Sequence, residues 1–493
     1  VVAGGAALRL VHLDQPVRYD EAVTFLEYVA RPLGRALALY DLPNNHLFHT
    51  FLAHLSVSAF GDGPVALRLP AFAAGVMVPP AVYLAGRAVH GRDVGLVAAA
   101  LAAASPVLVL FSANARGYSL VVLAFLALVP PAAMLRRRSS PLAWLVAATV
   151  AALGAWAMPT MLYPAGAVAA WLLLAATRPG GRGVRRVAAE GVLAAAAAAA
   201  LTALLYLPVL QRSGLDAVVA NRFVGPHPVA EFAARVPGFL ADVALQWAHG
   251  VPAPVTILLA AGAGAEAVAR ARAVLAGDRS GDGAAAALLP VGLAWSLFLL
   301  AATRRVPVAR VWLFLLPTFL LFASAGLARL WGRARRLAGD AATWLRPALA
   351  APVAALALGG WTAVHLLRTD AVRRWPVTGT LPHGDRVAAF LAERWEPGDV
   401  VQASIPSDAP LEYYFRRAGL PTAAVNALPA PGGCIYIVVN RRHGQSLGAA
   451  DARGAAPDPE PVLLREWPGV AVHVDPSAAG ASGGSGRRSQ CEP

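Results

Sequence analysis

The chain has 493 residues, of which 57% are hydrophobic and only 14% charged, with a formal net charge of +14 and a mean hydropathy of +0.56. Soluble globular domains carry about a quarter charged residues, so these values exclude a large soluble enzyme and imply a polytopic membrane protein. Every basic residue other than His is Arg, set in short loops between apolar runs and not in a stripe interleaved with aromatics, so no nucleic-acid partner is expected.

The apolar start "VVAGGAALRLVHL" is too short to cross about 30 Å of hydrocarbon and reads as the end of a truncated first helix. A polar loop, 14–63, follows. It opens with "VRYDEAVTF", which places Asp20 and Glu21 side by side. Within it, "EAVTFLEYVARPL" and "LFHTFLAHLSVSAF" space their apolar residues as amphipathic helices, too short and polar to span, that would lie in the membrane interface. Apolar runs suited to spanning then recur at 64–88, 93–112, 117–135, 141–157, 160–177, 187–210, 251–270, 284–303, 306–328 and 346–367. With the first helix they predict a mostly α-helical bundle of about eleven transmembrane helices.

Arg clusters in "GRAVHGRD", "LRRRSSP", "TRPGGRGVRR", "ARARAVLAGDR" and "ARLWGRARR" alternate with Arg-poor links, which places those clusters on the cytoplasmic side. The 14–63 loop, "SANARGYS", the 211–250 loop, "TRRVPVAR" and everything after 368 then fall outside the cytoplasmic membrane. Residues 369–476 turn soluble in character. "RVAAFLAERW" and "PLEYYFRRAGL" read as helices, and "DVVQASI", "CIYIVVN" and "VAVHVD" as strands. The expected organisation is a transmembrane domain over 1–368, a small extracytoplasmic α/β domain over 369–476 and a disordered tail, 477–493. A disulfide between Cys434 and Cys491 would need both in an oxidising compartment, and the Gly/Ser-rich setting of Cys491 argues against it.

Ionisable residues are nearly absent from the middles of the predicted spans, which argues against a proton-coupled transporter. Polar residues gather instead at the expected outer helix ends: Asp20, Glu21, Asn44, Asn45, His46, His49, Arg68, Asn114, Arg116, Tyr118, Arg304, Arg305 and Arg310. Asp20 stands where an N-cap is expected, with Val23 at the third helical position and therefore no capping box; the same carboxylate suits a general base. Arg116, Arg304, Arg305 and Arg310 either snorkel at helix ends or clamp a phosphate. His46 and His49 have metal-ligand spacing but no evident third ligand, and a polar helix face or contact with a substrate is preferred to a metal. Phosphate-binding glycine loops, serine-hydrolase signatures and HExxH are absent from the sequence.

In order, "YDEA", "NNHLFHTFLAHLSVSAFGDGPVALRLPAFAAGV", "ANARGYSL" and "ARVWLFLLP" resemble blocks of the GT-C membrane glycosyltransferases. The similarity is greatest to bacterial relatives of the protein O-mannosyltransferases (glycosyltransferase family 39) and of the lipid A aminoarabinose transferase, and covers roughly 10–330. The resemblance implies transfer of a sugar from a polyprenyl-phosphate-linked donor to a hydroxyl of a lipid, glycan or protein, with inversion and without a cofactor. It implies Asp20 as base, Glu21 in support, and Arg116 and Arg310 at the lipid phosphate. The chain departs from many relatives in carrying Asn44 and Asn45 in place of a Pro-Pro pair, Asn114 in place of an acid, and Trp312 near a common Tyr. A lipid or polysaccharide flippase would show inverted repeats and midplane polar groups, which are not seen; a non-catalytic scaffold would leave the Asp and Arg residues without a role.

Overall fold

The structure is a computed structural model that describes residues 1–178, 181–219, 224–276, 287–338, 347–375, 379–430, 433–450 and 460–475. The expected tail, 477–493, and with it Cys491, lies outside the described residues. The chain divides into two compact units. The first comprises Val1–Leu13, Leu37–Ala53 and Arg68–Arg374, and the second Asp14–Ala36, His54–Leu67 and Trp375–Pro493.

The first unit is a helix bundle. Among the described residues seven helices are long and apolar enough to cross a membrane, or eight when the bent pair Arg92–Ala104 and Pro106–Ser112 counts as one span. This is fewer than the eleven expected, and the reason is length. Pro141–Ala157 and Leu288–Thr303 form where spans were predicted but have 17 and 16 residues, and Val2–Val11 has 10. The 211–250 stretch is more regular than a loop, because it contains the twenty-residue helix Val229–Ala248.

Close packing comes from small residues. Where Ala253–Leu275 meets Leu315–Ala338, a Cβ on Gly326 would sit 1.8 Å from the carbonyl oxygen of Gly262, so the two backbones touch only because both residues are glycine. At the Arg-rich end of this pair, fully buried Glu266 accepts from Arg329 Nε and Arg270 Nη2, each at 2.5 Å.

The bent span has a local cause. Pro106 has no N–H to offer the carbonyl of Ala102 four residues earlier, and the helix turns by 61° at Ser105. Buried Arg9 occupies the break. Its Nη1 donates to the carbonyls of Ala103 and Gly5, both at 2.9 Å, and its Nε donates to Ser112 Oγ at 3.0 Å. A guanidinium thus supplies donors that the helix lost, where hydrocarbon could not.

The second unit contains a four-stranded sheet, β1 (Val400–Gln402), β2 (Ile435–Val439), β3 (Val462–Trp467) and β4 (Val470–Asp475), in the order β1-β2-β4-β3. β1 and β2 are parallel and the other pairs antiparallel. The three expected strands are β1, β2 and β4, all buried. β3 was not expected because "VLLREW" carries Arg465 and Glu466. As an edge strand it is largely solvated, and its register slips between Leu463 and Arg465. The helices Gly384–Ala392 and Asp408–Arg417 form as read, the latter followed by Gly419 at φ +74°.

In this second unit the doubled acid takes up roles that differ from the expectation. The helix runs Tyr19–Thr24, so its N-cap is Arg18, and Asp20 is the second helical residue. Glu21 stands at the third position and its Oε2 accepts the Arg18 amide at 2.9 Å, the carboxylate half of a capping box. The helix therefore starts two residues earlier than the sequence suggested, and the capping carboxylate belongs to Glu21.

Candidate active site

The helix Leu47–Phe60 begins at His46, whose carbonyl accepts the Thr50 amide at 2.8 Å. The imidazole faces the tight link between Pro106–Ser112 and Tyr118–Leu135. Gly117 N–H donates to its Nδ1 at 2.8 Å, Arg116 Nη2 lies 3.3 Å from its Nε2, and the Tyr118 ring packs against it edge-on with centroids 5.4 Å apart. Burial, then the positive charges of Arg116, His49 and Arg310, hold the His46 pKa well below the ordinary histidine range, so the ring is neutral.

Arg310 joins this group from far along the chain. Its Nε donates to Tyr118 Oη at 2.8 Å. The guanidinium carbons of Arg310 and Arg116 lie 5.7 and 6.0 Å from the centroid of the Tyr118 ring. The 3-10 turn Ala309–Phe314 positions Arg310. Phe314 packs edge-on against Phe125 at 5.1 Å, and Trp312 against Phe239 of the Val229–Ala248 helix at 4.9 Å. That helix was missed in the sequence, although its apolar residues recur at helical spacing.

Two residues before Arg116, Asn114 is fully buried, and neither its Oδ1 nor its Nδ2 has a hydrogen-bond partner among the described residues. An orphaned buried amide costs about 1–3 kcal/mol. Both a donor and an acceptor are therefore left unsatisfied two residues before Arg116. His49 is buried as well. Among the described residues no three His, Cys, Asp or Glu side chains are grouped to hold a metal ion.

Other predicted site residues are used by the fold. Asn45 Nδ2 donates to the Leu39 carbonyl at 2.7 Å, and its Oδ1 accepts from Thr50 Oγ1 at 2.8 Å. Asn44 is half-buried, and its carbonyl accepts the His46 amide. Arg68, fully buried, donates from Nη1 to the Leu13 carbonyl at 2.8 Å. Arg304 is an exposed left-handed residue that ends Leu288–Thr303, and Arg305 Nη1 donates to the Val219 carbonyl at 3.0 Å. Neither residue hydrogen-bonds to or stacks on the Tyr118 group.

Within the second unit, Tyr19–Thr24 is tied to the C-terminal part of the chain. Tyr19 N–H donates to the Gly379 carbonyl, Val17 N–H to Tyr414 Oη, and Arg18 Nη1 to the Trp375 carbonyl. Phe25 meets Tyr413 edge-on at 5.1 Å. Glu21 is fully buried, whereas Asp20 is half-buried. Around them lies negative charge. The Tyr19 hydroxyl is raised by burial and then by Asp408, Asp20 and Glu412. Glu412 is pushed up to about 7 by burial, then by Asp408 and Glu27.

Residues 44–211, which include His46, Asn114, Arg116 and Tyr118, match the family model described as dolichyl-phosphate-mannose-protein mannosyltransferase. The fold is similar over 98% of both chains to ArnT from Cupriavidus metallidurans in the apo state, with 14% identity and a TM-score of 0.61. The chain shares the fold of ArnT. The same ArnT bound to undecaprenyl phosphate is matched over 96% of this chain and 97% of that one, with 14% identity and a TM-score of 0.56. No curated protein matches the chain at comparable significance. Arg116, Tyr118 and His46 lie inside the matched segment, while Arg310 reaches the group from outside it.

Proposed function

We propose that the protein is a GT-C membrane glycosyltransferase that takes its sugar from a polyprenyl-phosphate donor and passes it to an acceptor hydroxyl, with inversion, on the side of the cytoplasmic membrane opposite the Arg-rich loops. The observation that carries the reading is the gathering of Arg116 and Arg310 at the Tyr118 ring, with the buried, unsatisfied Asn114 two residues before Arg116. Two fixed guanidinium groups suit the charge of a lipid phosphate and stabilise it as it leaves. The unsatisfied amide of Asn114 suits a ligand that both donates and accepts, as a sugar hydroxyl does. The finding that ArnT binds undecaprenyl phosphate supports this donor class.

In this reading Asp20 takes the proton from the acceptor hydroxyl, whose oxygen forms the new bond to the anomeric carbon. The bond from that carbon to the phosphate oxygen breaks, and its electron pair leaves with the polyprenyl phosphate. Asp20 is favoured over Glu21 because the Glu21 carboxylate is buried and engaged by the Arg18 amide. The C-terminal domain, 369–476, is read as extracytoplasmic and as a holder of the acceptor. A hexose or a pentose fits equally well, and the reading assigns no part to a cofactor.

The test is a transfer assay on the purified full chain with a panel of polyprenyl-phosphate sugars, read by mass spectrometry. Release of polyprenyl phosphate coupled to a glycosylated product supports the proposal; the absence of turnover with every donor overturns it.

A further inference from the structure

The hydrogen bonds of His46 determine which of its nitrogens carries the proton. A neutral imidazole has one N–H and one bare nitrogen. The Gly117 backbone N–H points at Nδ1 at 2.8 Å and, held by the tight link before Tyr118, cannot turn away. The approach is close because residue 117 is glycine: a Cβ there would lie 3.2 Å from both Cβ and Nδ1 of His46. A proton on Nδ1 would set two donors against each other at that distance, so Nδ1 is bare and Nε2 carries the hydrogen. Yet the group facing Nε2, at a longer 3.3 Å, is Arg116 Nη2, which can only donate. Among the described residues His46 Nε2 has no other hydrogen-bond neighbour, and the ring is buried. The Nε2–H of His46 thus faces a donor in a buried place, and an acceptor oxygen with several lone pairs would supply its partner.

We propose that His46, fixed as the Nε2–H tautomer by the Gly117 amide, is a neutral hydrogen-bond donor that shares with Arg116 the phosphate oxygens of the lipid-linked substrate. This inference rests on the donor class given under Proposed function and adds a ligand residue and its protonation state. The neutral ring, held so by burial and neighbouring cations, contributes a directional donor beside Arg116 without adding a third positive charge. It holds the phosphate in place as negative charge builds on the leaving oxygen, and gives up no proton.

The test is binding of undecaprenyl phosphate to the full-length protein in nanodiscs, with undecaprenol as the phosphate-free control. His46→Asn keeps an acceptor for Gly117 N–H near the position of Nδ1 and lacks the distal donor; His46→Gln places an N–H donor near Nε2 and loses the acceptor. A charge-assisted hydrogen bond predicts that His46→Asn weakens undecaprenyl phosphate binding about 10-fold or more, at unchanged unfolding midpoint and unchanged undecaprenol binding. His46→Gln should recover part of that loss. Wild-type affinity in His46→Asn, or equal losses in both variants, overturns the role of His46 while the donor class stands. A wild-type protein that does not distinguish the phosphate from the alcohol overturns the donor class, and this inference with it. Should His46→Asn not fold, 15N histidine spectra of the wild type, with His46 assigned by difference from His46→Gln, decide the matter. A protonated Nε2 that shifts on adding undecaprenyl phosphate supports the proposal, and a protonated Nδ1 overturns it.

Discussion

Arg310 donates its Nε–H to the hydroxyl of Tyr118 at 2.8 Å across 192 residues of sequence. This bond fixes the direction of a guanidinium that would otherwise swing on a flexible stem at the end of a short 3-10 turn. Tyr118→Phe keeps the ring, and with it the contacts to His46 and Phe111, but removes the acceptor. A hydrogen bond to a charged group is worth about 1.5–3 kcal/mol. We expect transfer to fall by about 10-fold or more, with the unfolding midpoint little changed. Steady-state kinetics with a saturating acceptor would show whether the loss falls on the donor.

Asp20 and Glu21 should separate cleanly. Asp20→Asn removes the proposed base from a half-buried position, so turnover should vanish while expression and thermal stability stay at the wild-type level. Glu21→Ala removes the capping carboxylate that accepts the Arg18 amide, at a cost of about 1 kcal/mol or more. Its signature is a lowered unfolding midpoint with turnover reduced only in proportion to folded protein. Full activity in Asp20→Asn would remove the base assignment.

Glu412 predicts a pH dependence of known sign. Its folded pKa is raised to about 7 from the ordinary value of 4.5 by burial, Asp408 and Glu27. The folded state therefore holds the proton more tightly than the unfolded chain. Its ionisation destabilises the fold, with no penalty below about 4.5 and the full penalty above about 7. Stability of the second unit should fall as pH rises from 5 to 8, and Glu412→Gln should flatten that slope. Hydrogen exchange in Asp408–Arg417 at the two pH values measures it.

Arg9 should matter more than its place near the start of the chain suggests. Arg9→Met keeps much of the side-chain volume but leaves the Ala103 carbonyl and Ser112 Oγ without the donors they now have. Each buried polar group that loses its partner costs about 1–3 kcal/mol. We expect a clear drop in the unfolding midpoint in detergent and in yield; a midpoint equal to wild type would show that the bend at Ser105 holds without Arg9.

Much of this architecture was legible one segment at a time. Apolar length and Arg placement are local properties matched to bilayer thickness and membrane sidedness, so the bundle and its helix order could be read directly from the chain. The runs at 141–157 and 284–303 were read as spans by hydropathy alone, whereas the helices that form there stop at 17 and 16 residues. Strands β1, β2 and β4 were visible because buried strands are rich in β-branched residues, and β3 was hidden because an edge strand tolerates charge.

The candidate residues were legible as a list, not as an arrangement. Composition and position marked Arg68, Arg116, Arg304, Arg305 and Arg310 alike as Arg at expected outer helix ends. Only the tertiary structure separated Arg116 and Arg310, which flank Tyr118, from Arg68, which bonds the Leu13 carbonyl, and from Arg304 and Arg305, which lie outside the Tyr118 group. It also gave the cap to Glu21, placed Arg9 in the break before Pro106, and set the His46 tautomer through Gly117. The sequence alone determined a membrane helix bundle with an appended α/β domain, because hydropathy and strand propensity act over a few neighbouring residues. Which polar groups share a site was decided by tertiary structure, because a hydrogen bond depends on ångström distances between atoms that the chain separates by 192 residues in the case of Arg310 and Tyr118.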